Sequence, residues 1–432
     1  MSRPNGGKAT LLYYAYRAIS AVLAPFAWYS VARKLRRAHV PVERQHERLG
    51  VASQSRPAGQ LIWFHAASVG ESLSVLSLIT RMGERLPQAQ FLITSGTPTS
   101  AALIAKRLPP RTIHQYPPLD ANGPVNRFYH HWRPNAGIFV ESELWPQMLV
   151  KGRKAGVHLA LLNARLSDKS VRGWQRFPDT AQFILGQFDL FLTQNQKTAN
   201  NLRAMGAVPE RVKPGTNLKA LSGPLPVDEV LCARMRKSIG DRPVWVASST
   251  HPGEEEVVLQ THRALLKRHP DLLLLLIPRH PDRGQDVQQL IANSGFTCAR
   301  RSMQEDISPE TEVYLADTLG ETGTWYALCP LVFLGGSLQD IGGHNPFEPA
   351  QAGAAVITGP GFFNFAETFD AMIAAGGAVE VRDAVDLTAA VDKWLGNQSN
   401  FEAACTAARS YVNTQQTALD SVIDTLCEEL KL

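Results

Sequence analysis

A short acidic turn near residue 70 is the first place where this sequence could do chemistry. Residues 65–71 read His-Ala-Ala-Ser-Val-Gly-Glu and continue from an apolar run, Gln60–Ala66, that predicts a strand. Glu71 then falls at the start of the next helix, where the helix dipole and free backbone N–H groups stabilise a carboxylate. Such a group could act as a general base toward a hydroxyl. The motif alone leaves an alternative open, which is a helix-capping Glu beside a packed His65.

A second acidic loop follows another apolar run, Ala136–Val140. Residues 140–146 read Val-Glu-Ser-Glu-Leu-Trp-Pro. Glu141 and Glu143, beside Trp145, could help to bind a polar ligand. The same residues are equally typical of a helix start, with Pro early in the helix and acids in its first turn. Taken alone, this loop leaves both interpretations open.

Three loops in the second half of the chain combine glycine, a cation and carboxylates. They are residues 278–281 (Pro-Arg-His-Pro), 319–321 (Leu-Gly-Glu) and 335–348, a stretch that includes two Gly pairs and Asn-Pro-Phe-Glu. Gly pairs let the backbone approach a ligand, and Arg279 offers a planar fork for phosphate or carboxylate. Glu348 could accept hydrogen bonds from ribose hydroxyls. Gly-rich turns with an ordinary surface Arg are the alternative, but three such loops at successive strand ends favour a ligand site.

Motifs for several other chemistries are absent from the sequence. No G-x-G-x-x-G follows the first predicted strand of either half, and no G-x-x-x-x-G-K-[ST] occurs, which disfavours a dinucleotide enzyme and excludes a P-loop NTPase. There is also no H-E-x-x-H, no G-x-S-x-G and no Asp-x-Asp pair for a nucleotide–metal complex. If a phosphate leaves during the reaction, protein cations must stabilise it, and Arg279 and Lys219 are candidates.

The cysteines and histidines show no pattern typical of a metal site or a disulfide framework. Five cysteines are scattered without a C-x-x-C pair, which suits a reducing compartment. The spacing of His251, His262, His269 and His344 matches no metal site, so we interpret them as satisfied or surface histidines. We therefore expect no metal and no cofactor.

The elements that would position these loops are apolar runs alternating with helical patterns. The predicted strands are Gln60–Ala66, Gln90–Thr94, Thr112–Tyr116, Ala136–Val140, His158–Leu162 and Asp189–Thr193, then Val244–Ala247, Leu272–Ile277, Glu312–Ala316, Leu331–Leu334 and Ala355–Ile357. Runs at this spacing predict parallel sheets covered by helices on both faces. Residues 222–226 (Ser-Gly-Pro-Leu-Pro) are the linker candidate between the two sets. We predict an α/β fold of two doubly wound Rossmann-like domains facing a cleft, with ligands at the carboxyl ends of the strands.

The N-terminal 60 residues differ from the rest of the chain in charge. They hold ten Lys or Arg and two Glu, whereas the remaining residues hold 34 basic and 37 acidic side chains. The net charge of +5 therefore reports one end of the chain and not a basic surface for nucleic acid. We expect no nucleic-acid partner.

An apolar stretch, Leu11–Val31, precedes the basic residues. It has 17 hydrophobic residues out of 21, and a helix of that length would span roughly 30 Å. A cleaved signal peptide is disfavoured because the basic cluster follows the stretch. A single membrane span, a helix lying in the interface and an ordinary buried helix stay open. We expect attachment to anionic membrane lipids, with the following domain on the cytoplasmic face.

The motifs in their order resemble the 3-deoxy-D-manno-octulosonic acid (Kdo) transferases of lipopolysaccharide assembly. The resemblance covers nearly the whole chain and rests on the N-terminal anchor, residues 65–71, 141–146, 163–167 (Asn-Ala-Arg-Leu-Ser), 247–251 (Ala-Ser-Ser-Thr-His), 278–281, 319–321 and 342–353. It implies a GT-B glycosyltransferase of the Gram-negative cell inner membrane. The implied reaction moves Kdo from CMP-Kdo to a tetraacylated lipid A precursor (lipid IVA), with inversion and without a bound catalytic metal.

The resemblance also implies roles for particular residues. Glu71 matches the general base, and Glu141 and Lys219 match positions credited with transition-state stabilisation. The CMP-binding positions matched are Pro278, Arg279, Leu319, Gly320, Glu321, Asn345, Pro346, Phe347 and Glu348. The fold alone also permits a GT-B transferase or epimerase that uses another nucleotide sugar, or a tethered nucleotide-binding protein without catalysis.

The resulting domain prediction has four segments. They are an N-terminal anchor and basic flank (1–50), an acceptor-binding Rossmann-like domain (51–221), a CMP-sugar-binding Rossmann-like domain (227–400) and C-terminal helices (401–432). The number of Kdo residues transferred and the oligomeric state do not follow from these motifs.

Overall fold

The computed structural model describes residues 8–67, 69–215, 218 and 225–432. The chain divides into two compact units. Unit 1 comprises Met1–Ser222 and Gln415–Leu432, and unit 2 comprises Gly223–Thr414. Each unit has its own buried apolar core around a parallel sheet.

The described residues of unit 1 form a seven-stranded parallel sheet in the order β3-β2-β1-β4-β5-β6-β7. Its strands are β1 (Leu61–Ala66), β2 (Gln90–Ser95), β3 (Thr112–Gln115), β4 (Ala136–Val140), β5 (His158–Ala164), β6 (Leu190–Thr193) and β7 (Val212–Pro214). Its helices are α1 (Leu11–Arg37), α2 (Val42–His46), α3 (Val69–Arg85), α4 (Pro98–Ala105), α5 (Asn122–Trp132), α6 (Pro146–Lys154), α7 (Asp168–Gln175), α8 (Pro178–Leu185) and α9 (Gln196–Ala204). Because β1 pairs with β4, the loops after these two strands lie side by side.

The described residues of unit 2 also form a seven-stranded parallel sheet, in the order β10-β11-β9-β8-β12-β13-β14. Its strands are β8 (Val244–Thr250), β9 (Leu273–Pro278), β10 (Cys298–Arg300), β11 (Val313–Leu315), β12 (Leu331–Leu334), β13 (Ala355–Thr358) and β14 (Ala378–Glu380). Its helices are α10 (Glu229–Ile239), α11 (Glu254–Leu266), α12 (Gly284–Asn293), α13 (Thr322–Leu328), α14 (Phe347–Gln351), α15 (Ala366–Ala374) and α16 (Ala384–Gly396).

Every apolar run that predicts a strand forms one. The central strands are buried on both faces, as in the run of leucines from Leu273 to Leu276, because helices cover both sides of a doubly wound sheet. The predicted pair of doubly wound parallel sheets is therefore confirmed. The three-residue strands β7, β10 and β14 were not predicted, and all three end their sheets.

A long C-terminal helix, α17 (Gln398–Leu430), contributes to both units. Its residues up to Thr414 belong to unit 2, and those from Gln415 onward belong to unit 1. In unit 1, Leu419, Ile423 and Leu426 are buried in the core that also contains side chains of β1 and β2.

Helix α1 lies against unit 1 along one side. Tyr13 is buried against the ring of Phe183, and Leu35, six turns later, is buried as well. The opposite side of the helix exposes large apolar side chains, including Leu11, Ile19, Val22, Leu23, Phe26 and Tyr29. Within the described residues, no helix combines the length and the apolarity needed to cross a bilayer.

Candidate active site

The carboxylate of Glu71 stands just beyond the carboxyl end of β1. Helix α3 begins at Val69, which places Glu71 in its first turn, and the side chain is partly exposed. The N–H of Ala67 donates a hydrogen bond of 2.9 Å to Oε2 of Glu71. Neighbouring His65 is buried and bonds Thr94 Oγ1 through Nδ1 at 2.9 Å. The capping contact and the packed histidine are therefore both present, and the Ala67 N–H orients the carboxylate at the carboxyl end of the strand.

A second carboxylate, Glu143, reaches the same histidine from the loop after β4. Its Oε2 lies 3.3 Å from Nε2 of His65 and also accepts a hydrogen bond from the indole N–H of Trp145. Burial acts to raise the pKa of Glu143, but the hydrogen bond and charge of His65, together with the Trp145 bond, lower it overall. Glu143 is therefore held ionised beside the base of the Glu71 loop. The sequence indicated both acids of this loop but not the contact with His65.

Glu141 occupies an unusual backbone conformation at the end of β4. Its φ is 59°, and Asn163 in the adjacent strand β5 has φ of 53°. Left-handed φ values cost energy in non-glycine residues and cluster at functional sites. Asn163 is buried and donates from Nδ2 toward Glu141 Oε1 at 3.5 Å, so the two residues support one another.

The remaining predicted catalytic residue, Lys219, lies outside the described residues. Its neighbour Leu218 is described, and the N–H of Leu218 donates toward Oδ1 of Asn163 at 3.4 Å. Leu218 therefore approaches the end of β5, beside the Asn163 that contacts Glu141.

A buried carboxylate that the sequence did not indicate, Asp120, supports the loop from behind. Its Oδ1 accepts the N–H of Met148 at 2.7 Å, and its Oδ2 accepts the N–H of Gln147 at 3.0 Å, so it caps the start of α6. The same Oδ2 accepts a 2.8 Å hydrogen bond from the hydroxyl of Tyr16 in α1. Burial raises the pKa of Asp120, although these three donors and the charge of His65 oppose that rise. Asp120 thus joins α1 to the helix that follows the acidic loop.

In unit 2, Arg279 follows directly from the carboxyl end of β9. Pro278 is the last, buried residue of the strand, whereas the side chain of Arg279 is exposed and its N–H donates to the carbonyl of Thr250 at 3.0 Å. The guanidinium is therefore presented to solvent at the strand end, where a phosphate can be bound.

Three histidines lie near this arginine, in contacts that the interpretation of His251 and His344 as satisfied or surface residues did not include. The Nε2 atoms of His251 and His344 lie 2.9 Å apart, and the ring of His280 is 5.7 Å from that of His251. Burial, followed by the charge of Arg279, lowers the pKa of His344 to about 4. The pair is therefore neutral at pH 7. In the described part of the chain, no cluster of His, Cys, Asp and Glu is arranged to hold a metal ion.

Glu348 completes the site around Arg279. Asn345 Nδ2 donates to Glu348 Oε1 at 3.2 Å, and the N–H of Phe347 donates to Asn345 Oδ1 at 3.2 Å. Burial raises the pKa of Glu348, while the Asn345 bond and the charge of Arg279 lower it. Pro346 and Phe347 are buried beneath the loop. Unit 2 thus brings together an exposed guanidinium, an oriented carboxylate and neutral imidazoles.

The loop at residues 319–321 has a different construction. Arg301 binds Glu321 through two hydrogen bonds of 2.7 and 3.0 Å, and the hydroxyl of Thr318 binds the same carboxylate. Leu319 is 82% exposed, and Gly320 has φ of 86°. The carboxylate of Glu321 therefore anchors the loop, leaving Leu319 at its tip.

The first Gly pair of unit 2 does not have the role expected from the sequence. The carboxylate of Glu254, which is fully buried, accepts the N–H groups of Gly336, Ser337 and Leu338 at 2.7 to 2.9 Å. It also accepts the N–H of His251 at 3.0 Å. These donors point to the protein's own carboxylate, so the expectation that this loop binds a ligand through its backbone is wrong.

The two sheets and their helices place the chain in the class of GT-B-like α/β proteins. A solved structure described as a putative UDP-N-acetylglucosamine 2-epimerase from Listeria monocytogenes shares the fold with a TM-score of 0.59. The two sequences are 13% identical, and the alignment covers 87% of this chain and 97% of that one. At this identity the likeness concerns the fold alone.

Sequence relatives define the family within that class. A model of the 3-deoxy-D-manno-octulosonic acid transferase family matches residues 43–222. A probable mitochondrial Kdo transferase of Arabidopsis thaliana is 34% identical over 400 residues, which is 90% of each chain. A Kdo transferase of Haemophilus influenzae is 33% identical over 390 residues, covering 89% of this chain and 91% of the relative. The chain is therefore a glycosyltransferase and belongs to the Kdo transferase family.

Proposed function

We propose that this Kdo transferase moves Kdo from CMP-Kdo to a tetraacylated lipid A precursor, lipid IVA, in lipopolysaccharide biosynthesis. The observation that carries the proposal is the carboxylate of Glu71, which stands in the first turn of α3 at the carboxyl end of β1. In doubly wound sheets this edge is where substrates bind. The proposed reaction uses no cofactor.

Glu71 acts as the general base in the proposed mechanism. Its carboxylate takes the proton from an acceptor hydroxyl while that oxygen forms a bond to the anomeric carbon of Kdo. The bond from the anomeric carbon to the CMP phosphate breaks, and CMP leaves with the electron pair, which inverts the anomeric centre. The Ala67 N–H bond to Glu71 Oε2 supports this role because it fixes the position of the carboxylate.

Glu141 and Lys219 are proposed to stabilise the transition state. A carboxylate near the anomeric centre favours the positive charge that develops there, and an ammonium group favours the negative charge that develops on the departing phosphate. The contact of Glu141 with Asn163, both in left-handed conformations, supports a site held in a fixed geometry.

Unit 2 is proposed to bind the CMP part of the donor. Arg279 offers two parallel N–H donors to the phosphate. Glu348, held by Asn345, accepts hydrogen bonds from ribose hydroxyls. The loops around Arg279 and Glu348 also contain Pro278, Pro346 and Phe347. Residues 319–321 form the last of the proposed CMP-binding loops, and Leu319 is exposed there.

The catalytic part of the proposal is tested by Glu71→Gln. The purified chain is incubated with CMP-Kdo and lipid IVA, and the Kdo-bearing lipid is measured by mass spectrometry. Loss of a general base is expected to lower turnover roughly 10²- to 10⁴-fold. Glu84→Gln is the matched control because Glu84 is an exposed residue of the same helix. Full activity in Glu71→Gln would contradict the assignment.

The donor part is tested by thermal unfolding with nucleotides. CMP is expected to raise the unfolding temperature and UDP is not, because binding to the folded state alone stabilises it. Arg279→Gln is expected to remove the CMP effect. Stabilisation by UDP and not by CMP would instead favour a different nucleotide sugar.

We further propose that α1 holds the enzyme on the cytoplasmic face of the inner membrane without crossing it. One side of the helix is bound to unit 1 at Tyr13, Tyr16 and Ser20, and the other side exposes apolar side chains such as Phe26, which is 71% exposed. A helix with these two sides suits the interface, where the exposed side enters the lipid and basic residues meet anionic headgroups.

The membrane part is tested by Val22→Asp with Phe26→Asp, which places charges on the exposed side of α1. Binding to vesicles that contain phosphatidylglycerol is expected to fall at least tenfold. Val230→Asp with Val385→Asp is the matched control, because these valines of unit 2 are 82% and 73% exposed. Equal binding by both double variants would show that the exposed side of α1 does not enter the lipid.

A further inference from the structure

A basic cavity lies at the edge of the unit 1 sheet opposite to Glu71 and Glu141. It has a volume of about 910 Å³ and lies between the C-terminal ends of α5 and α6 and residues 50–52. Its lining includes Arg133, which precedes β4, whereas Glu141 follows the same strand. At about 3.3 Å per residue, the five residues of β4 separate the two edges by roughly 15 Å. The cavity is therefore distinct from the candidate active site.

The charge of this cavity is one-sided. Four of its lining residues are Lys or Arg, namely Arg127, Arg133, Lys151 and Lys154, and two more are histidines, His130 and His131. The described residues that line it include no Asp or Glu. Crowding of like charges without counter-charges is unfavourable for the folded protein, and an anion bound among them relieves it.

The surroundings of Lys151 show this crowding directly. Burial lowers the pKa of Lys151, and the charges of Lys154 and of Arg17 in α1 lower it further. Helix α1, which carries Arg17, contacts α5, one of the two helices that line the cavity. The cavity is therefore next to the helix whose opposite side exposes Val22 and Phe26.

The rest of the lining is apolar or neutral. It includes Val51, Ala52, Ala155 and the ring of Tyr129, whose hydroxyl is already bonded to the carbonyl of Met148 at 2.8 Å. A ligand with a phosphate and an adjoining apolar part matches both halves of this lining. Inorganic phosphate would use only the charged half.

We propose that this cavity binds the phosphate of an anionic phospholipid headgroup, with the adjoining glycerol and first acyl carbons on its apolar part. Lys151, Lys154, Arg127 and Arg133 supply the cations. The site is separate from the site of Kdo transfer, and it gives the chain a specific lipid contact in addition to the exposed side of α1. The inference rests on the proposed membrane attachment.

The test compares two double variants of the full chain in vesicle flotation. Lys151→Gln with Lys154→Gln removes two cations of the cavity, and Lys169→Gln with Lys237→Gln removes two exposed lysines elsewhere. The vesicles are phosphatidylcholine alone or phosphatidylcholine with phosphatidylglycerol. We expect the cavity variant to bind the anionic vesicles about tenfold more weakly than the wild type, and the control to lose threefold or less. Circular dichroism and thermal unfolding establish that both variants fold, and Arg127→Gln serves as a second cavity variant.

Each outcome separates the two proposals. Equal binding by the cavity variants, the control and the wild type would overturn the headgroup site while leaving the attachment through α1 in place. Failure of the wild type to bind either vesicle would overturn the attachment and the site together. If inorganic phosphate raises the unfolding temperature of the wild type but not of the cavity variant, and vesicle binding is unchanged, the ligand is free phosphate and the lipid assignment is wrong.

Discussion

Each unit places a carboxylate in the first turn of the helix that follows its first strand, and the two carboxylates differ in their surroundings. In unit 1, Glu71 accepts the N–H of Ala67, the first residue after β1. In unit 2, Glu254 accepts the N–H of His251, the first residue after β8. Glu254 is fully buried and accepts three further N–H groups, from residues 336–338, whereas Glu71 is partly exposed.

The loop after one neighbouring strand distinguishes the surroundings of the two carboxylates. In unit 2 the strand beside β8 is β12, and its glycine-rich loop turns three N–H donors toward Glu254. In unit 1 the strand beside β1 is β4, and its loop supplies Glu141 and Glu143. Glu143 is held ionised, and an ionised carboxylate accepts hydrogen bonds without donating any. The carboxylate in the first turn of the helix therefore has a structural role in unit 2 and, as proposed, a catalytic role in unit 1.

The most direct test of this comparison replaces each carboxylate by an uncharged amide and measures unfolding by urea. Glu254→Gln is expected to destabilise unit 2 by about 3 kcal/mol, because the amide group of Gln would face N–H donors that then lack an acceptor. Glu71→Gln is expected to change stability by less than about 1 kcal/mol, since Gln keeps an oxygen for the Ala67 N–H. Equal losses in the two variants would show that Glu71 is as structural as Glu254.

A second comparison uses one buried histidine from each unit. Burial, together with the charge of Arg44, lowers the pKa of His114 in unit 1 to about 3, and burial lowers that of His262 in unit 2 to about 4. In the unfolded chain each histidine binds a proton near pH 6.5, whereas in the folded chain it stays neutral to a lower pH. The stability that the neutral histidines contribute is therefore complete above pH 6.5 and is lost as the pH falls toward the pKa of the folded protein.

The loss is expected to be about 2.5 kcal/mol for each histidine between pH 6.5 and pH 4. Urea unfolding across this range measures it. His262→Gln is expected to flatten the pH dependence of unit 2, and His114→Gln that of unit 1. An unchanged slope in a variant would show that its histidine is already protonated in the folded protein.

The smallest change in stability is expected when glycine replaces one residue with left-handed backbone in each unit. Asn163 in unit 1 and Ser249 in unit 2 have φ of 53° and 57°, and both coincide with register shifts in their strands. Glycine adopts this conformation without steric cost. Ser249→Gly is expected to change stability by no more than about 0.5 kcal/mol, whereas Asn163→Gly loses the bonds to Glu141 and Leu218 and is expected to cost about 1 kcal/mol. Thermal unfolding measures both, and a larger loss at Ser249 would reverse the comparison.

The fold could be predicted from the sequence because its central strands are long apolar runs. Strand β9 is an example, because it consists of buried leucines followed by Ile277 and Pro278. None of the other elements in the described part of the chain has that pattern. The missed strands β7, β10 and β14 read Val-Lys-Pro, Cys-Ala-Arg and Ala-Val-Glu. Three partly polar residues at the edge of a sheet carry no periodic signal, so their pairing depends on the neighbouring strand.

The positions of the candidate site residues could also be predicted, but their contacts could not. Glu71, Arg279 and Glu348 follow strands or begin helices, which the pattern shows. The pair of His65 with Glu143 and that of His251 with His344 join residues 78 and 93 positions apart in the sequence. Such contacts require the order of the strands in the sheet, which a single sequence does not fix. The bond between Glu254 and the Gly336 loop was missed for the same reason.

The division of α17 between the units has a consequence for synthesis of the chain. The core of unit 1 includes side chains from the last turns of this helix: Leu419, Val422, Ile423, Leu426 and Leu430. Unit 2 is complete by Thr414. The core of unit 1 lacks these residues until they have been synthesised, after the whole of unit 2, so unit 1 can complete its core only after unit 2 has been made. Until then, the apolar surface of the unit 1 sheet that these side chains bury in the folded protein has to be shielded from water in another way.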